Sequence, residues 1–143
     1  MIVTFFGHSY LSTDKIISIQ NDLHNKIIGL IKNGATEFLL GGYGNFNIAA
    51  ATNISILKKK FPHIKSYLII PYINRKYDKS LYDHVKYPEF LINVNPKYAI
   101  PERNKYMVEQ SDVVVSYVYR SGGAMKAVEY AKKLNKQIIK IKA

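Results

Sequence analysis

Phe38-Leu39-Leu40-Gly41-Gly42-Tyr43-Gly44-Asn45-Phe46-Asn47 is a short apolar run that breaks into glycines and then enters a stretch with helical spacing. Strand, glycine turn and helix, in that order, build the carboxyl edge of an α/β sheet. Glycine lets the backbone come close to a ligand, and the following helix N-terminus offers unpaired N–H groups and partial positive charge. The pattern recurs on either side. Gly7-His8-Ser9 follows the apolar residues 2–6, and Ser121-Gly122-Gly123 follows residues 112–119. Three such turns in 143 residues point to a nucleotide-type pocket.

Outward from these turns, strands and helices alternate. Residues 2–6 are continuously apolar and β-branched, as expected of a strand buried on both faces. After Ser12-Thr13, apolar residues recur at Ile16, Ile19, Leu23, Ile27 and Ile31, and Gly34 stops the helix. A second helix is expected from Asn47, read as its cap, through Ile54 and Leu57 to Lys58-Lys59-Lys60, whose charges suit its last turn. Residues 67–70 form a third strand. From Tyr72 to Pro101 the periodicity is lost, so a long excursion with little regular structure is expected there. Pro101 suits the first position of a helix reaching Gln110. A strand at 112–119, a helix at 123–134 and a last strand at 137–141 complete the chain. Alternation of this kind predicts an α/β fold, a Rossmann-like three-layer sandwich with a mostly parallel central sheet, in a single domain spanning 1–143. All three turns then fall at carboxyl ends of strands, where open α/β sheets bind ligands.

Composition narrows the function. Net charge is +11, with 21 Lys plus Arg against 10 Asp plus Glu, which favours anionic partners, although the lysines are dispersed as on a solvated surface. No apolar run approaches the ~18–20 residues needed to cross a bilayer. The N-terminal residues lack the basic lead-in of a signal peptide. Cysteine is absent, which excludes disulfides and thiolate chemistry, and a cytoplasmic protein is expected. His24, His63 and His84 lack metal-ligand spacing, so neither a metal site nor a cofactor is expected. Neither Gly-x-Gly-x-x-Gly nor a Walker loop occurs, which removes support for a dehydrogenase or a P-loop NTPase.

Candidate ligand-binding residues follow from the turns. Gly7 and His8 lie in the first; Gly41, Gly42, Tyr43 and Gly44 in the second; Ser121, Gly122 and Gly123 in the third. Backbone N–H groups of the glycines would hold phosphate, while Tyr43 or Tyr72 would cover a base. Arg103-Asn104 stands at a predicted helix start, where a cation opposes the dipole unless it grips an anion or reaches a surface carboxylate. Glu129, the only carboxylate in the last helix, is a candidate general base on ribose, with Arg103 orienting it; the alternative is a solvent-facing residue paired with Lys126, Lys132 or Lys133. Tyrosines between Tyr67 and Tyr98, interleaved with Arg75, Lys76, Lys79, Lys86 and Lys97, suit single-strand binding, a lid, or plain packing.

Thr4-Phe5-Phe6-Gly7-His8, residues 38–46, Pro71-Tyr72, Arg103-Asn104, Ser111-Asp112 and Gly122-Gly123-Ala124 occur in an order that resembles the YpsA-like branch of the SLOG superfamily. That superfamily includes the LOG (lysine decarboxylase-like) phosphoribohydrolases and the DprA single-strand binders. The resemblance implies a Rossmann-like sheet with a pocket for nucleotides or nucleotide-derived ligands. Ser9 stands where the family usually has arginine, and Asn47 where it has aspartate. Gly122, Gly123 and Glu129 match the LOG segment Gly-Gly-x-Gly-Thr-x-x-Glu, but Met125 and Lys126 replace its second glycine and threonine. The leading expectation is therefore binding of a nucleotide or nucleotide-derived small molecule. An N-glycosidic hydrolase acting on nucleoside monophosphates and a weak single-stranded nucleic-acid binder are the alternatives. Homodimer formation stays open.

Overall fold

A computed structural model describes residues 1–143. Six strands form one sheet: β1 (Ile2–Gly7), β2 (Glu37–Leu40), β3 (Lys65–Ile69), β4 (His84–Lys86), β5 (Val113–Tyr117) and β6 (Gln137–Lys140). Helices α1 (Thr13–Lys32), α2 (Asn45–Leu57), α3 (Ala99–Gln110) and α4 (Gly123–Lys133) cover it. The strand order is β4-β3-β2-β1-β5-β6, and all neighbouring pairs are parallel.

The three layers follow from period-two alternation in the central strands. Val3, Phe5, Phe38, Leu40, Val113 and Val115 pack with Ile19, Leu23 and Ile27 of α1 and Ala50 and Ile54 of α2. The intervening residues Phe6, Leu39 and Val114 turn to the other face, against Met107 and Val108 of α3 and Ala127, Val128 and Ala131 of α4. Each of the Val, Leu, Ile, Phe and Met side chains, fully buried, contributes roughly 1.5–3 kcal/mol, so a one-residue register slip would be prohibitive.

Helix ends agree with local chemistry at α1, where the Ser12 hydroxyl accepts from the Lys15 N–H at 3.3 Å. Elsewhere several sequence expectations need correction. Helix α2 begins at Asn45 after Gly44, so Asn47 is not its cap, and it ends at Leu57, leaving Lys58-Lys59-Lys60 in the turn beyond. Helix α3 begins at Ala99 and Pro101 is its third residue. The excursion after Tyr72 is also more ordered than its composition implies. It contributes the edge strand β4 and short 3-10 turns at Glu89–Asn93 and Pro96–Tyr98. No helix is long and apolar enough to cross a membrane.

Chain order determines where a ligand could sit. From β1 the sheet grows outward through β2, β3 and β4, and the chain then returns to lay β5 and β6 on the other side. Strand order reverses between β1 and β5, and a crevice opens outside the carboxyl ends of strands at such a point.

Candidate functional site

The turn after β1 lies between the other two turns and is bonded to both. Asn45 N–H donates to the Ser9 carbonyl at 2.8 Å, and the Asn45 side-chain amide donates to the Leu11 carbonyl at 2.7 Å. On the other side, Tyr119 N–H donates to His8 Nε2 at 3.0 Å, and Arg120 Nη2 donates to the Tyr10 carbonyl at 3.2 Å. The corners are thus drawn around one concavity of about 300 Å³. Gly7, His8, Gly41, Tyr43, Arg103, Asn104, Ser121, Gly122 and Gly123 line it.

No carboxylate lines this hollow, whereas the guanidinium-bearing Arg103 and Arg120 do. Arg103 is the more informative because it is only 5% exposed. Its Nη1 donates to the carbonyls of Ile69 (2.8 Å) and Gly41 (3.2 Å), and its Nε donates to Asn104 Oδ1 at 3.0 Å. These partners are dipoles; the ion pairs of the molecule lie elsewhere, at Lys26–Asp22, Lys58–Asp83 and Lys105–Glu102. Burial pulls the Arg103 pKa down to about 10, opposed by the nearby Tyr77 and Tyr72 phenols, so it stays charged at neutral pH. A buried cation held only by carbonyls retains an unmet demand for negative charge.

His8 has the opposite state. Its Nε2 accepts a main-chain N–H, so the ring is neutral and its proton resides on Nδ1. Burial, then the positive charges of Arg120 and Lys15, holds its pKa below the usual value of 6.5. Asn47 is also buried in this lining, with Oδ1 accepting from Gly41 N–H at 3.2 Å, which leaves its amide as a donor. The glycines themselves differ. At Gly44 the backbone has φ 90° and a Cβ would run into Ser9, so glycine is needed by the fold. At Gly122 and Gly123 a Cβ would meet nothing within 4 Å. Packing requires neither, although φ 148° at Gly122 still favours glycine there, and together they open the N-terminus of α4 toward the hollow.

A family model described as the YspA SLOG family matches residues 6–141. The chain belongs to that family. It is 28% identical over 142 residues to the uncharacterized SPbeta prophage-derived protein YoqJ of Bacillus subtilis (strain 168), covering 84% of this chain and 80% of YoqJ. Among solved structures, the structural-genomics target TM1055 superposes with a TM-score of 0.66 at 15% identity, over 96% of this chain and 71% of that one. The molybdenum cofactor carrier protein of Chlamydomonas reinhardtii superposes with a TM-score of 0.64 at 16% identity, over 97% and 74%. These structural likenesses support the Rossmann-like fold.

Not every candidate of this SLOG chain reaches the hollow. Gly42 and Tyr72 line an adjoining concavity, and Gly44 lines neither. The Tyr72 hydroxyl is engaged by the Pro96 carbonyl at 2.8 Å, with the Arg75 guanidinium over its ring. Glu129 is exposed and lines a separate depression with Lys132 and Lys140, away from the glycine corners. The rotation of α4 about its axis decides this, since the face bearing Ala127, Val128 and Ala131 is taken by the sheet. Two further residues line the hollow: Arg120, and Asn47, which the sequence marks as a cap and as the residue standing where the family has aspartate. A basic residue directly before Ser121-Gly122-Gly123 was the available signal for Arg120. For Asn47 the sequence marks the position but not the contact, which depends on the Gly41 N–H across the turn.

Proposed function

We propose that this SLOG protein binds a nucleotide or nucleotide-derived small molecule, with the ligand's phosphate in the hollow between the three glycine corners. The observation that carries this reading is Arg103, a buried guanidinium without a carboxylate partner, in a concavity whose lining contains no acid. Around it stand donors of the kind phosphate takes: the N-terminus of α4 at Gly122-Gly123, the Asn47 amide, His8 Nδ1–H and Arg120. The fold shared with a carrier protein whose name states a molybdenum cofactor is in keeping with a holding role. The hydrolase alternative lacks support at this site, because Glu129 lies outside the hollow and no other carboxylate replaces it.

Calorimetric titration with nucleoside monophosphates, with the matching nucleosides as controls, tests the proposal. The monophosphates should bind and raise the melting temperature, by an amount equivalent to about 2.7 kcal/mol at a hundredfold excess over Kd. Equal behaviour of nucleosides and monophosphates would refute it. Released base in the same incubations would revive the hydrolase.

A further inference from the structure

A second concavity of about 490 Å³ adjoins the first, and the two share Gly41, Tyr43, Ile100 and Arg103. Arg103 stands at their junction, so one molecule can lie across it with an end in each. By itself the first hollow is at the lower limit of small-molecule sites, which span roughly 300–1,000 Å³. A ligand larger than its phosphate end must extend somewhere, and the second hollow is the adjoining space.

The two differ in their aromatic lining. Both carry cations, Arg103 and Arg120 in the first and Arg103, Arg75 and Lys76 in the second, but only in the second do Tyr72 and Tyr77 join the shared Tyr43. Tyr72 is a fixed wall, held by Pro96 and covered by Arg75 at 3.9 Å from its ring centre. Tyr77 is different: its hydroxyl is shut off from solvent and has no hydrogen-bond partner in the protein. Buried hydroxyls are seldom left so, because each one carries a desolvation cost that a partner would offset. The one acid here, Asp78, is occupied locally, accepting from Ser80 N–H at 3.0 Å and Ser80 Oγ at 2.7 Å.

Resting on the phosphate reading above, we infer that the second hollow receives the base of the nucleotide, and that the Tyr77 hydroxyl reads a polar atom on its edge. Aromatic walls accept any base by its flat face; a single unpaired hydroxyl discriminates among bases by what it can bond. For this the Tyr77 side chain must turn toward the hollow as the base enters, and its own connection, residues 73–83, carries neither helix nor strand that would hold it back. Tyr77 is thus a specificity residue supplied by the connection between β3 and β4.

Titration of the wild type and a Tyr77→Phe variant with ribose 5-phosphate and with each nucleoside monophosphate tests this. In the wild type one or more monophosphates should bind about tenfold tighter than ribose 5-phosphate, the worth of one well-made hydrogen bond with stacking. Tyr77→Phe should bring that advantage to within about twofold, with the Kd for ribose 5-phosphate unchanged and the melting temperature no lower. Four monophosphates no tighter than ribose 5-phosphate would overturn the inference alone. So would a Tyr77→Phe variant that keeps the preference, or one that melts earlier, since the hydroxyl would then have a partner in the free protein. If ribose 5-phosphate and the monophosphates all fail to bind, the phosphate reading falls and this inference with it.

Discussion

His8 Nε2 accepts the backbone N–H of Tyr119 at 3.0 Å, joining the corner after β1 to the corner after β5 through a ring that must be neutral. The unfolded chain has no such requirement and takes up a proton near the ordinary pKa of 6.5. Because the folded value is lower, the unfolded state binds more protons as pH falls, and stability rises with pH through this window. The contribution is complete above about pH 6.5 and is lost as pH drops through the folded pKa. Melting curves from pH 7.5 to 5 should show this decline, and a His8→Gln variant should show a shallower one. Parallel slopes for the two proteins would contradict it.

The two kinds of glycine should separate under substitution. Gly44→Ala places a side chain at φ 90° against Ser9, so a loss of about 1–3 kcal/mol is expected by urea denaturation. Gly123→Ala enters open space at the start of α4 and should change stability by no more than about 0.5 kcal/mol. Its methyl group would nevertheless occupy the phosphate cradle, so binding of a nucleoside monophosphate should weaken by about tenfold or more. A stable Gly123→Ala protein with unaltered affinity would remove the N-terminus of α4 from the site.

Arg103→Lys tests the fork of the guanidinium. A single ammonium cannot reach the Gly41 and Ile69 carbonyls and Asn104 Oδ1 together, so a buried acceptor is left unpaired. The expected cost is about 1–3 kcal/mol in urea, together with weaker phosphate binding. Unchanged stability would show that the carbonyls find other donors.

Glu129→Gln should be silent. The side chain is exposed and outside the phosphate hollow, so stability should stay within about 0.5 kcal/mol and nucleotide affinity within about twofold. A tenfold change in affinity would show that α4 presents this residue to the ligand.

Much of the fold was legible because local pattern encodes local structure. Alternating and continuous apolar runs mark β1, β2, β3 and β5. The spacing from Ile16 to Ile31 marks α1, and glycines mark where each strand must turn. β4 was not legible. Its residues His84-Val85-Lys86 are all exposed and carry no strand signature, and only pairing with Tyr67, Leu68 and Ile69 of β3 makes them one. Tertiary context overrides propensity most easily at such an edge.

At the site, the chain alone determined which residue types stand at the ends of strands: glycines, His8, Tyr43, and the serine before Gly122. It did not determine which of them meet. That depended on β1 lying between β2 and β5, which brings corners more than a hundred residues apart to one crevice. It depended also on helix rotation, which buries Arg103 of α3 under the Gly41 corner and turns Glu129 of α4 outward. Periodicity and capping are properties of neighbouring residues, so a linear sequence displays them; strand order and the facing of each helix arise from long-range pairing and burial, which act only once the layers have packed.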